Sequence, residues 1–286
     1  MKAKDTFFYP KTTLNCKGKL LDASSPLVMG ILNLTPDSFF DGGSSTTIVE
    51  ILKKTEQMLT QGAAIIDVGA VSTKPGAAEV SLEEERQRIL PIFKLLVKEF
   101  PQAIFSVDTF RSQIAYETVQ EGAHIINDVS AGELDTKMLK VVGKLNVPYI
   151  LMHMQGTPQN MQQNPVYQNV VTDVYKYFHA KIEQAKSAGI KDIILDPGFG
   201  FGKTVEHNYQ LLKELRYFLT LHCMVLTGVS RKAMINKVLN CSAKDALNGT
   251  TAVNTIALLN GAQLLRVHDV KEAVEAVKIV KQYFEV

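Results

Sequence analysis

The chain has 286 residues, 46% hydrophobic and 21% charged, an ordinary globular mixture long enough for one large core. A formal net charge of +2, with Lys and Arg interspersed among Glu and Asp, gives no reason to expect a nucleic-acid partner or a membrane surface. Cys16, Cys223 and Cys241 lie far apart without metal-type spacing, and no run approaches the roughly 18 apolar residues of a membrane helix, so reduced thiols in a soluble, cytoplasmic protein are expected.

The first 25 residues precede any repeating pattern, and "FFYPKTTLNCKGKLLD" (7–22) reads as a hairpin lying across the bottom of the barrel that the later strands predict. Strand candidates begin with "LVMGILN" (27–33), "AAIIDVGA" (63–70), "AIFSVDT" (103–109) and "HIINDVS" (124–130). They continue with "PYILMHM" (148–154), "DIILDPG" (192–198), "HCMVLTGVS" (222–230) and "QLLRVHD" (263–269). Between them, segments such as 48–60, 82–100 and 166–189 carry apolar residues at helical spacing. Strands that are apolar almost throughout, each followed by a helix, imply a parallel sheet covered by helices. The repetition between about 27 and 282 predicts one α/β domain over 1–286, a (β/α)8 TIM barrel with a short N-terminal β-hairpin extension; a doubly wound sheet has fewer strands.

A barrel of this kind carries its site where strands end. The eight ends hold Asn33; Asp67; Asp108; Asn127 and Asp128; His153; Asp196; Ser230, Arg231 and Lys232; and Arg266, His268 and Asp269. Carboxylates and amides are costly in buried strands unless paired, so their recurrence at one end predicts a ligand site, although any one of them could cap the next helix instead. Asp196 could accept two N–H groups side by side. The first and last strands become neighbours on closure, so Asn33, Arg266 and His268 could share one anion, for which Arg offers bidentate contacts. No nucleophile stands out: Cys223 reads as core, and Ser230 has no evident base beside it in the sequence. "DPGFGFGKT" imitates a phosphate loop, but only three residues separate Gly198 from Gly202 where that loop needs four. Its glycines better suit a close backbone approach to a flat ligand, with Phe201 as a wall. After Asn33, "LTPDSFFDGG" is too polar for core yet displays Phe39 and Phe40, which suits a lid with Asp41 making a polar contact and Gly42 and Gly43 as its hinge.

Seven of these stretches, "MGILNLTPDSFFDGG", "STKPG", "FSVDTFR", "IINDVSAG", "ILDPGFGFGK", "GVSRK" and "LRVHDV", resemble in this order the dihydropteroate synthase family. The resemblance implies an enzyme of folate synthesis that joins 6-hydroxymethyl-7,8-dihydropterin diphosphate to 4-aminobenzoate, with sulfonamides as inhibitors. It implies pterin contacts from Asp108, Asn127, Met152, Asp196, Phe201, Gly228 and Lys232. For aminobenzoate it implies Phe39, Thr73, Pro75, Ser230 and Lys232, and for diphosphate Asn33, Thr73, Lys74, Arg266 and His268. A Mg²⁺ on Asn33 and a homodimer through helices late in the barrel are also implied. Asp108, Lys232, Asn33, Arg266 and His268 would carry the catalysis, by placing reactants and neutralising charge. The second loop departs from the family pattern: Ala70 to Gly76 stand where Gly-Glu-Ser-Thr-Arg-Pro-Gly is usual, and Phe40 replaces a Ser. Ala70 and Val71 thus remove a carboxylate, and Lys74 keeps charge but loses the planar fork of Arg, so aminobenzoate and sulfonamide affinity are where altered behaviour is expected. A methyl-transferring pterin barrel and a non-catalytic pterin binder are the alternative readings.

Overall fold

The computed structural model describes residues 12–34, 45–71, 80–157, 161 and 165–285. Two short strands come first, β1 (Thr13–Cys16) and β2 (Lys19–Asp22), paired antiparallel through Lys17 and Gly18, whose φ angles are 55° and 92°. A two-residue turn with positive φ at both positions matches the twist of the flanking strands. Along β1 the side chains alternate, and Leu14 and Cys16 fall on its buried face. The hairpin expected over 7–22 therefore forms, its first residues, 7–11, lying outside the described ones.

The barrel is built from β3 (Leu27–Asn33), α1 (Ser45–Thr60), β4 (Ile65–Gly69), α2 (Leu82–Glu99), β5 (Phe105–Asp108), α3 (Ser112–Gln120), β6 (Ile125–Asp128) and α4 (Met138–Leu145). It is completed by β7 (Tyr149–Met152), α5 (Val170–Ser187), β8 (Ile193–Asp196), α6 (Val205–Lys213), β9 (Met224–Thr227), α7 (Ala233–Leu239), α8 (Leu247–Leu259), β10 (Leu264–Val267) and α9 (Val270–Glu285). Strands β3 to β10 pair in parallel, and β10 closes the ring by pairing with both β9 and β3, so each of the eight expected strands forms inside its expected window. Local signals hold the helices in place. Ser81 caps α2, Asn169 caps α5, and Thr204 forms a capping box with His207 at the start of α6.

Period-two alternation divides every strand between two environments. Val28, Ile66, Val68, Phe105, Val107, Tyr149 and Leu195 face the helices and join their apolar sides in one core. Met29, Ile65, Ile104, Ile125, Ile150, Ile194, Met224 and Leu264 face inward at the lower end, where Leu14 and Cys16 of the hairpin pack against them. Full burial of such a side chain contributes about 1.5–3 kcal/mol, so this dry lower layer offsets the cost of a polar layer above it. Two residues further along six of the strands the same inward phase delivers Asp67, Ser106, Asn127, Met152, Asp196 and Arg266, while β3 and β9 present Ile31 and Leu226. The hairpin seals the bottom, and functional groups are left to the other end.

Among the described residues no helix is long and apolar enough to cross a membrane. The three cysteines form no disulfide, and burial, reinforced by Asp192, pushes the Cys16 thiol up to about 12.

Candidate active site

At the C-terminal end of the ring four strands contribute to one ionic network. Arg266 of β10 donates from Nε to Asp67 Oδ2 on β4 and from Nη2 to Asp108 Oδ2 on β5, each at 2.6 Å. Asn127 of β6 donates from Nδ2 to the same Asp67 oxygen at 3.0 Å. Gly69 leaves room beside Asp108: a Cβ there would stand 3.3 Å from the Cβ of Asp108, closer than an ordinary contact. Asp67, a strand end to which the sequence assigned no role, is fully buried at the centre of this network, and its Oδ1 has no hydrogen-bond partner among the described residues.

Burial raises the Asp108 carboxyl to about 7; the Arg266 guanidinium opposes the shift and the Asp67 charge adds to it. Burial also works against the charge on Arg266, but Asp67 and Asp108 more than compensate and hold it protonated above its usual range. The carboxyl of Asp196 is likewise raised by burial, against the pull of Lys232 and of the Gly198 N–H, which donates to Asp196 Oδ1 at 2.8 Å. Burial lowers the Lys232 ammonium to about 8, with Asp196 opposing. These charges sit in a poorly solvated mouth, where each interacts more strongly than it would in water.

Beside the acids lies an apolar wall. Val129, Met152, Met154 and Met161 form a cluster of their own, with Phe110 and Phe201 half-buried against it. Lys232 joins the two halves: Nζ stands 4.8 Å from the centroid of the Phe201 ring and donates to Phe199 O. Gly228 leaves the gap between the cations, since a Cβ there would be 3.9 Å from both Arg266 Cβ and Lys232 Nζ. Acid and amide acceptors on one side, with sulfur and aromatic surface on the other, suit a flat heterocycle with N–H groups along one edge.

The sequence missed the strut under this wall. Lys203, the last residue of "GFGFGK", is buried, donates to the carbonyls of Gly198 and Phe201 at 3.0 Å each, and lies 3.0 Å from His153 Nδ1. Burial lowers its ammonium to about 7, against the attraction of Asp196. Gly198 has a φ of 69°, and a Cβ there would meet His153 O at 1.9 Å, so the glycine is required by both backbone and space. A lysine beyond the strand end gave no signal that it would turn back beneath the loop.

On the other side of the mouth, Asn33 is half-buried at the top of β3. His268, just past β10, is exposed at the rim. Ser230 is buried, and its Oγ lies 3.0 Å from His268 Nδ1 while accepting the His268 main-chain N–H at 3.2 Å. The expectation that Ser230 lacks a base beside it is thus overturned, because closure brings together residues 38 positions apart. Partial enclosure of the ring, and then the Arg266 charge, lower the His268 imidazolium to about 4.

Several strand-end residues serve the scaffold instead. Asp128 accepts from Ser130 Oγ (2.7 Å), Gly132 N (2.8 Å) and Tyr149 OH (2.6 Å), away from the mouth. Arg231 is forked onto Asp269 by two 2.8 Å bonds. Arg111 pairs with Glu85, which also accepts from Thr109 Oγ1 at 2.7 Å. Of the altered second loop, Ala70 is fully buried and accepts from Arg88 at 3.3 Å. Phe39, Phe40, Asp41, Gly42, Gly43, Thr73, Lys74 and Pro75 lie outside the described residues.

Among the described residues no three His, Cys, Asp or Glu side chains are grouped to hold a metal ion. Asn33 offers one neutral oxygen. Such a donor fits a Mg²⁺ that takes its remaining ligands from phosphate and water.

The model of the family described as "Pterin binding enzyme" matches residues 29–268. The dihydropteroate synthase of Escherichia coli (strain K12) is 45% identical over 270 residues, 94% of this chain and 95% of that protein. The Yersinia pestis dihydropteroate synthase, solved with a sulfonamide drug complex, aligns with a TM-score of 0.90 at 43% identity over 96% of this chain and 100% of that one. The Xanthomonas albilineans dihydropteroate synthase in complex with 7,8-dihydropteroate gives 0.85 at 36% identity, covering 96% and 99%.

Proposed function

Because the chain belongs to the dihydropteroate synthases, we propose how the residues of its mouth divide the work of the reaction. The protein is a transferase of folate biosynthesis: it joins 6-hydroxymethyl-7,8-dihydropterin diphosphate to 4-aminobenzoate, giving 7,8-dihydropteroate and diphosphate. Asp196 accepts from the amino and ring N–H groups of the pterin edge, Asn127 binds the same edge, and Lys232 donates to the ring carbonyl side. Phe201, Met152 and the space at Gly228 hold the ring faces. Asn33, Thr73, Lys74, Arg266 and His268 receive the diphosphate, and Phe39, Thr73, Pro75, Ser230 and Lys232 surround the aminobenzoate, where sulfonamides compete. The observation that carries this division is the convergence of Asp67, Asp108, Asn127, Asp196, Lys232 and Arg266 on one mouth.

The chemistry asks for placement and charge. The bond between the pterin methylene carbon and the diphosphate oxygen breaks, and its electron pair leaves with the diphosphate. Arg266 and the hydrogen-bond donors around it disperse that charge. The electron-rich dihydropterin delocalises the cation left on the methylene, and the buried Asp108 carboxylate favours that positive charge. Attack by the arylamine nitrogen forms the C–N bond, and the nitrogen then loses a proton. No covalent enzyme intermediate is required, so catalysis rests on positioning and preorganised electrostatics. A Mg²⁺ bound to the substrate phosphates and held by Asn33 would further neutralise the leaving group.

The enzyme works in the cytoplasm as a homodimer in this reading. Exposed Val238, Leu239, Ile256 and Ile279 on α7, α8 and α9 support contact between two copies there, and sedimentation of the purified protein checks it. A coupled assay of diphosphate release tests the reaction itself. Release that depends on both substrates is expected; methyl transfer, or pterin binding without release, would overturn it.

A further inference from the structure

We propose that Lys203 is a positioning residue of the pterin site: latched to His153 at the end of β7, its ammonium pins the loop between β8 and α6, so that the Phe201 ring keeps its place beside the mouth when Lys232 turns to the substrate. The inference deepens, and rests on, the reading of Asp196, Phe201 and Lys232 as pterin contacts. It also gives His153, a strand end without a role in the mouth, a task behind it.

In "GFGFGK" (198–203) the alternate residues Gly198, Gly200 and Gly202 have φ angles of 69°, 82° and 61°, a backbone region that other side chains rarely adopt. The phenylalanines between them part company. Phe199 is fully buried in the core shared with the helices, whereas Phe201 lies half-buried on the apolar wall of the mouth. The loop carbonyls are divided between two lysines: Lys203 Nζ donates to those of Gly198 and Phe201 at 3.0 Å each, and Lys232 Nζ donates to that of Phe199. Lys203 lies buried beneath the loop, while Lys232 stands 4.8 Å from the Phe201 centroid on the side of the mouth.

An ammonium has three hydrogens and no lone pair. At Lys203 they meet Gly198 O, Phe201 O and His153 Nδ1, each 3.0 Å away, so Nδ1 accepts and the neutral imidazole carries its hydrogen on Nε2. Burial, and then the Lys203 charge, keep that ring neutral by lowering its imidazolium to about 2. His153 is in turn seated edge-on against the Tyr177 ring, with centroids 4.8 Å apart, so the latch ties the loop after β8 to a packed residue at the end of β7. Lys232 has a second duty, because the hydrogen it gives the pterin turns it from Phe199 O and the Phe201 face toward the substrate. A loop held by Lys232 alone would loosen at that moment. Held from below by Lys203 it stays ordered, and binding free energy is not lost to fixing Phe201.

The test uses the full-length enzyme. In wild-type protein with ¹⁵N-labelled histidine, His153 being assigned from a His153→Gln sample, unprotonated Nδ1 and protonated Nε2 are expected; hydrogen on Nδ1 would overturn the latch whatever the other variants do. Lys203→Met keeps the length of the side chain and removes the ammonium. Its Kd for a dihydropterin, measured by calorimetry, should rise about tenfold, the scale of one hydrogen bond to a charged group, while its Kd for inorganic diphosphate with Mg²⁺ stays within about twofold. Unchanged pterin affinity overturns the proposal, and so does equal weakening of both ligands, which marks general loosening. Because Lys203 acts through Phe201, Lys203→Met in a Phe201→Ala background should add less than about threefold; a full further tenfold loss contradicts it. Asp196→Asn reports on the underlying reading by itself: undiminished pterin affinity there removes the pterin from this mouth, while the nitrogen spectrum still decides the latch.

Discussion

Arg266 and Asp67 meet inside the barrel, Nε to Oδ2 at 2.6 Å, although 199 positions separate them and strand β3 lies between their own strands. The same Asp67 oxygen receives Asn127, so one fully buried carboxylate fixes both a cation of the diphosphate end and an amide of the pterin end. Removing one partner of a buried pair leaves an uncompensated charge, which costs about 3–5 kcal/mol. Asp67→Ala should lose stability of that order in urea unfolding, and its kcat/KM for the pterin substrate should fall by orders of magnitude. Unchanged stability would show that Arg266 does not depend on this carboxylate.

The barrel was legible because every strand is a short apolar run ending in polar residues, a pattern that survives without knowledge of contacts. Which polar residues face inward was not legible. Asn127 and Asp128 are neighbours, yet one enters the mouth and the other accepts from Ser130 and Tyr149, because the phase of each strand is set by ring closure. Asp67 was visible as a strand end but not as a hub, since its partners come from β6 and β10. The Ser230–His268 pair and the Lys203 strut escaped for the same reason: both depend on loops folding back over sequence distances that periodicity does not report.

Asp108 and Lys232 bring charge to the reacting centre from fixed positions. Asp108→Asn and Lys232→Ala should each lower turnover by about a hundredfold or more, the scale of losing one preorganised electrostatic group. Circular dichroism and thermal melting should show both variants folded. Near-normal turnover in the two folded proteins would refute their roles.

The same two groups define a pH profile. Asp108, raised to about 7, is ionised above that pH and protonated below it, so activity that needs the anion is lost as pH falls through about 7. Lys232, lowered to about 8, is an ammonium below that pH, so activity that needs the cation is lost as pH rises through about 8. His268, lowered to about 4, adds no limb between them. The kcat/KM for the pterin substrate, measured from about pH 5 to 10, should be a narrow bell because it reports the free enzyme. A flat profile across that range contradicts the assignment.

Asn33 gives Mg²⁺ a single neutral oxygen, too little to hold the ion without phosphates. Calorimetric titration of the enzyme with Mg²⁺ alone should be silent, and addition of inorganic diphosphate should reveal binding that Asn33→Ala weakens about tenfold. Tight Mg²⁺ binding without diphosphate would point to a different metal site.

The most direct measurement is a crystal structure of the enzyme with a dihydropterin and diphosphate. The expected density places the pterin between Phe201 and Met152, with Asp196 accepting from its 2-amino group, Asn127 on the same edge and the diphosphate beside Arg266 and His268. A pterin bound elsewhere, or one whose amino group meets no carboxylate in this mouth, would contradict the shared site.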